Sequence, residues 1–158
     1  MSSVRTQLGS WHKMGTEASG VRVQVFVHEQ AIPAELEWDE YDAASLHAVV
    51  FAHDDSTGED LAVGTGRLIA PNCNALAESG TAKIGRMAVL KAYRREGYGG
   101  QILNALLDAA LRRGYAAVEL SAQLYVAAFY ARYGFEPAGD QYQEVGIDHQ
   151  KMVLKFIA

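Results

Sequence analysis

A chain of 158 residues is the size of one domain, and with 49% apolar residues it has material for one well-filled core. Its net charge of -5, from 14 basic against 19 acidic side chains, argues against a general nucleic-acid binder, because phosphate-backbone affinity is built from accumulated Lys and Arg. Cys73 is the single cysteine, which excludes an internal disulfide and a cysteine-based zinc site and suits a reducing, cytoplasmic setting.

Residues 1–10 hold no apolar core of signal-peptide length, and no uncharged apolar run approaches the roughly 20 residues of a membrane helix. Neither secretion nor membrane insertion is expected. Val4, Thr6 and Leu8 alternate with polar neighbours and predict a short first strand ending near Gly9-Ser10. Residues 16–30 fit two periods, since Val21, Val23, Val25 and Val27 alternate while Ala18, Val21, Val25 and Phe26 share a helical face; helix is the reading adopted. Over residues 31–42, Pro33 breaks the pattern and Glu35, Glu37, Asp39, Glu40 and Asp42 crowd around Trp38, which predicts an exposed acidic loop.

Residues 47–52 and 61–70 are apolar runs joined by Asp54-Asp55-Ser56-Thr57-Gly58, turn chemistry that predicts an antiparallel hairpin. A break over 71–80 leads to a third strand over 82–89. The clearest helix spans 97–113: Ile102, Leu103, Leu106, Leu107 and Ala110 recur at three- and four-residue steps, and Gly114 follows the last turn. A buried strand over 116–122, a short helix over 126–133 stopped by Gly134, and a closing strand over 150–156 complete the order. The whole predicts one domain over 1–158, an α/β mixture on one mostly antiparallel sheet flanked by helices.

Between the third strand and the long helix lies Arg94-Arg95-Glu96-Gly97-Tyr98-Gly99-Gly100. A helix N-terminus aims unpaired N–H groups and a partial positive charge outward, and glycines let an anion approach the backbone. From Lys83 to Arg95 there are five basic residues and no acidic one, so the field beside this turn favours a phosphate-bearing ligand. A P-loop is excluded, since Gly100 is followed by Gln101 and Ile102 where Lys-Ser/Thr is needed. A dinucleotide fingerprint stays open as an alternative, although Ile102 stands where its third glycine belongs and early antiparallel strands do not suit a parallel sheet. A bare Gly-x-Gly is also compatible with a tight strand-to-helix turn and no ligand.

Arg94-x-x-Gly97-x-Gly99 resembles the coenzyme A signature of the GNAT superfamily, and Arg86-Met87-Ala88-Val89 resembles the strand that leads into it. Phe129-Tyr130-Ala131-Arg132-Tyr133-Gly134-Phe135 resembles that family's Phe-Tyr-x-x-x-Gly-Phe segment at the expected distance. Val25-Phe26-Val27-His28-Glu29-Gln30, the acidic loop, and Gly146-Ile147-Asp148-His149-Gln150-Lys151-Met152 resemble its small ElaA-like branch. The resemblance implies a GNAT fold, with a splayed strand pair whose gap holds the pantetheine arm.

It further implies an acetyl-CoA-dependent N-acetyltransferase acting on a small-molecule or peptide amine, with acetyl-CoA as co-substrate and no metal. Backbone groups of Met87, Ala88 and Val89 would pair with the pantetheine arm, and one N–H would polarise the thioester carbonyl. N–H groups from Arg95 through Glu96, Gly97, Tyr98 and Gly99 to Gly100 would ring the pyrophosphate, with the side chains of Arg94 and Arg95 nearby. Tyr130 would protonate the departing thiolate; its other reading is an aromatic anchor for a short helix. The family often has Asn where Gln123 stands, which sets that side chain apart. His47, His53 and His149 have no triad spacing and receive no role, Glu29 serves either substrate or a loop, Glu119 is solvated or paired, and Cys73 is not marked as a nucleophile. The acidic loop could steer a cationic amine or be a solvated face. A non-catalytic acyl-CoA sensor is the reading from another class. Homodimers occur in families of this kind, and nothing in the sequence specifies an interface.

Overall fold

The computed structural model describes residues 4–73 and 80–156. In chain order the elements are β1 (Val4–Gly9), α1 (Trp11–Arg22), a π-helical turn (Val23–Glu29), β2 (Leu46–Asp54), β3 (Glu59–Ile69), β4 (Thr81–Val89), α2 (Tyr98–Arg112), β5 (Ala117–Gln123), α3 (Ala127–Ala131), β6 (Glu136–Pro137), β7 (Tyr142–Glu144) and β8 (Ile147–Lys155). The strands form one sheet in the order β1-β2-β3-β4-β5-β8-β6, with β7 also on β8. Every pairing is antiparallel except β4 with β5.

Alternation along β2 explains how both faces of this sheet are covered. Ala48, Val50 and Ala52 join the cluster that contains Ile102, Leu103 and Leu106 of α2, whereas Val49 and Phe51 join Met14 and Ala18 of α1. Successive strand residues point to opposite faces, so α1 and α2 pack on opposite sides. The α2 side is the larger core, and it also takes in Tyr130 and Phe135.

Several boundaries differ from the sequence reading. The first helix begins at Trp11, five residues before the expected start, because the Ser10 side chain accepts from Lys13 N at 3.3 Å; such a cap is worth about 1 kcal/mol. Its second half is π-helical, a form that inserts a residue and is frequent at functional sites. The closing strand starts at Ile147, and β6 and β7 were not foreseen because each is only two or three residues long. Of the expected break over 71–80, residues 74–79 lie outside the described residues.

The expected exposed acidic loop is corrected most sharply. Glu37 and Asp42 are 2% and 3% exposed, and both bind the guanidinium of Arg22, which is itself 1% exposed. Buried carboxylates are tolerated because each meets a cation and hydrogen-bond donors. Arg67 completes the network, forking onto Asp39 at 2.6 and 2.7 Å and reaching Asp42 at 2.9 Å. Only Glu35 and Glu40 of the acidic set stay exposed.

Candidate active site

β4 and β5 lie side by side only from Thr81 and Ala117 to Ile84 and Leu120. Beyond that point they part, and a cleft of about 840 Å³ opens, lined by Gly85 through Val89 on one side and Ser121 and Gln123 on the other. A bulge in β4 accompanies the parting. Between the pairs Thr65–Ala88 and Arg67–Gly85, β3 has Gly66 alone while β4 has both Arg86 and Met87. Arg86 adopts a φ of 51°, a left-handed conformation that costs a residue with a Cβ roughly 1–2 kcal/mol. Gly66 makes the room, since a Cβ there would stand 2.5 Å from Met87 Sδ and 2.8 Å from Ile102 Cγ2.

Past β4 the chain turns sharply into α2. Arg95 and Gly97 have φ values of 69° and 84°, which glycine adopts freely and arginine does not. The first turn of α2 follows directly. Its N–H groups have no acceptor within the helix, and Gln101 N is the one that reaches back to Gly97 O, at 3.1 Å. Arg94, Arg95 and Gly97–Gly100 all border the cleft, as do Met87, Ala88 and Val89. Glu96 is exposed and does not.

Tyr130 also lines the cleft, and it is 7% exposed. Its ring packs edge-on against Phe129 and Phe135, with centroids 5.1 and 6.0 Å away. Burial, with a smaller contribution from Tyr125, pushes its pKa well above the ordinary phenol value, so it holds its proton at neutral pH. Arg94 is already engaged: its terminal nitrogens fork onto Glu29 at 2.6 Å each, and its Nε donates to Val89 O at 2.9 Å. Gln123 donates to Gln30 at 2.9 Å and receives from it at 3.3 Å, across the mouth of the strand parting.

The match to a family model decides what this cleft belongs to: residues 15–156 fit the acetyltransferase (GNAT) domain. The chain belongs to the GNAT acetyltransferase family. YjcF of Bacillus subtilis, called an uncharacterized N-acetyltransferase, is 36% identical over 87% of this chain and 89% of its own. An acyl-CoA N-acyltransferase from Pseudomonas aeruginosa superposes with a TM-score of 0.78 at 29% identity, covering 96% of this chain and 99% of that one. Escherichia coli ElaA shares the fold with a TM-score of 0.77 at 24% identity over 96% and 99% of the two chains. Acyl transfer from coenzyme A is the chemistry of the family, and the chain is an acyltransferase with the GNAT fold.

In this GNAT chain the cleft also gathers residues that the sequence reading left without a role. His149 is 5% exposed on β8, directly across from Gln123, and its Nδ1 lies 2.7 Å from the carbonyl oxygen of Ile147. A carbonyl can only accept, so Nδ1 carries the proton in the neutral ring and Nε2 keeps its lone pair. Glu144, a second cleft residue, has Oε2 3.6 Å from that Nε2. The signal available in the sequence was the Gly146–Met152 segment, whose strand pairing it does not reveal. His47 instead accepts a structural place, Nε2 at 2.9 Å from Asp42 O, and burial pushes its pKa down. His53 pairs with Asp60 at 2.8 Å, Glu119 with Lys151 at 2.9 Å.

Arg86 links the charge network to the GNAT cleft. From the bulge its Nε donates to Glu37 O at 3.1 Å and its Nη2 to Asp39 Oδ2 at 3.2 Å. Two buried atoms of the network, Glu37 Oε2 and Arg67 Nε, have no hydrogen-bond partner among the described residues, and both residues border the cleft.

Proposed function

We propose that this acyltransferase moves an acetyl group from acetyl-CoA to a primary amine by direct attack within a ternary complex, in the cytoplasm and as one domain of residues 1–158. The observation that carries the reading is one continuous cleft that runs from the opening turn of α2, past the bulged edge of β4, to Tyr130. A separate phosphate turn and a separate tyrosine would have supported neither binding nor chemistry.

In this reading the pantetheine arm lies along Met87, Ala88 and Val89 as an added strand, and one N–H there polarises the thioester carbonyl. N–H groups from Arg95 to Gly100 surround the pyrophosphate, with Arg95 contributing its side chain. Arg94 acts on the same turn, held by Glu29 and Val89 O. The amine must lose a proton before attack, because an ammonium has no lone pair. His149 Nε2 takes that proton, the amine nitrogen adds to the carbonyl carbon, and the tetrahedral adduct collapses with cleavage of the C–S bond. Tyr130 gives its proton to the leaving thiolate, and both side chains are reset by exchange with solvent.

A thiol-release assay with acetyl-CoA across a panel of amines tests the reading, together with thermal melting. Amine-dependent thiol release and a melting shift with acetyl-CoA but not NAD or ATP are expected. Stabilisation by acetyl-CoA without thiol release from any amine would replace it with the sensor reading; a shift with NAD alone, with the dinucleotide one.

A further inference from the structure

Six basic side chains and two carboxylates line the cleft, in a chain whose acidic residues outnumber its basic ones by 19 to 14. The excess is divided between two ends. Arg94, Arg95 and Arg132 stand with the opening turn of α2, where a coenzyme's phosphates account for them. Arg67, Lys83 and Arg86 stand with the paired halves of β3 and β4, where no part of the coenzyme is required.

The charges at this second end are incompletely answered from within. Arg22, Arg67 and Arg86 face Glu37, Asp39 and Asp42, a balanced set. Burial first, and the nearby Arg67 guanidinium second, push the pKa of Arg86 down, which marks a place short of negative charge. Arg67 Nε has no acceptor. Lys83 adds a further cation. It sits across from Ile69 on β3 and Glu119 on β5, and Glu119 is bound to Lys151 at 2.9 Å. Among the described residues Lys83 has no ion-pair partner. Exposed Leu36, Tyr125 and Val145 border the same cleft and offer apolar contact beside the charges.

We infer that the acceptor is an amine carrying its own carboxylate, seated with the carboxylate against Lys83 and Arg86 and an apolar side group against Leu36, Tyr125 and Val145. The inference rests on the acyl-transfer reading and specifies its acceptor. A low-dielectric cleft wall strengthens the attraction between a guanidinium or ammonium and a carboxylate. It also sets a direction for substrate entry, since a simple polyamine would meet like charge at the same wall.

The test uses matched pairs that differ by decarboxylation: phenylalanine and phenethylamine, tyrosine and tyramine, leucine and isopentylamine. Acylation is followed by thiol release from acetyl-CoA with the full chain. In at least one pair the amino acid should exceed its amine in kcat/KM by about tenfold or more, the scale of one charge-assisted contact. Lys83→Met should reduce that ratio by about tenfold, and Lys83→Arg should preserve most of it. Acylation confined to the decarboxylated members, ratios near one throughout, or a ratio that Lys83→Met leaves unaltered would each overturn the inference. Failure of the underlying reading looks different: no amine of either kind is acylated and acetyl-CoA does not shift the melting temperature.

Discussion

Arg94 and Glu29, 65 residues apart, meet fork to fork, with both terminal guanidinium nitrogens 2.6 Å from the carboxylate oxygens. The pair ties the end of the π-helical turn to the loop that opens α2, and the third nitrogen holds the last carbonyl of β4. One side chain thus sets the spacing between a phosphate turn and a strand edge. Arg95, next to it, has no ion pair among the described residues.

The two arginines should therefore respond differently to removal. Arg95→Ala is expected to weaken acetyl-CoA binding by roughly tenfold, the loss of one charge-assisted contact, with little change in melting temperature. Arg94→Ala should weaken binding and also lower the melting temperature by a few degrees, since an exposed pair contributes at most about 1 kcal/mol. Calorimetric titration of coenzyme A alongside thermal melting separates the two; indistinguishable variants would contradict the assigned division.

Tyr130→Phe keeps the packed ring and removes only the proton donor. Turnover should fall by about 100-fold or more while the KM for acetyl-CoA stays within about twofold. Because burial raises this phenol's pKa, its ionisation should cause no loss of rate below about pH 10, the ordinary tyrosine value. Steady-state kinetics of both forms across pH provide the check.

His149→Gln tests the proton acceptor. The defect should be large with an ordinary alkyl amine and shrink toward wild type with an acceptor of low basicity, such as trifluoroethylamine, which is already neutral at pH 7. A defect equal for both acceptors would leave His149 a structural role only.

The network behind the cleft predicts acid sensitivity. Burial opposes the ionisation of Asp42, but hydrogen bonds and charge from Arg22 and Arg67 outweigh it and hold its pKa below 3.8; Asp39 is lowered in the same way, chiefly by Arg67 against burial. Groups with depressed folded values stabilise the fold above their unfolded pKa and lose that contribution as pH falls through the folded one. Acid unfolding should therefore set in below about pH 4. Arg22→Met leaves two buried carboxylates without their shared cation and should cost about 3–5 kcal/mol, or roughly 10 °C in melting temperature.

What the sequence made legible was local. The 97–113 helix, the hairpin around Asp54–Gly58 and the phosphate turn each carry their signal within a few residues of where it acts. The fate of the acidic stretch was not legible, because Glu37, Asp39 and Asp42 are recruited by Arg22, Arg67 and Arg86, which lie 15 to 47 positions away in the hydrogen bonds they form. The engagement of Arg94 by Glu29 was hidden for the same reason. His149 could be seen but not placed: only the pairing of β8 with β5 sets it across from Gln123. Alternation in residues 21–27 was misleading in a different way, since a π-helix follows neither the period of a strand nor that of an α-helix.

That π-helical turn makes the alignment of the cleft's rim depend on chain count more than on composition. Shortening Val23–Glu29 by one residue would let the segment wind as ordinary α-helix, with everything after the deletion swung by about 100°. Glu29 would lose sight of Arg94, and Gln30 of Gln123, with no substitution at any of the four. Relatives with different side chains along this stretch can keep the same rim, whereas a single deletion cannot be compensated by choosing better residues around it.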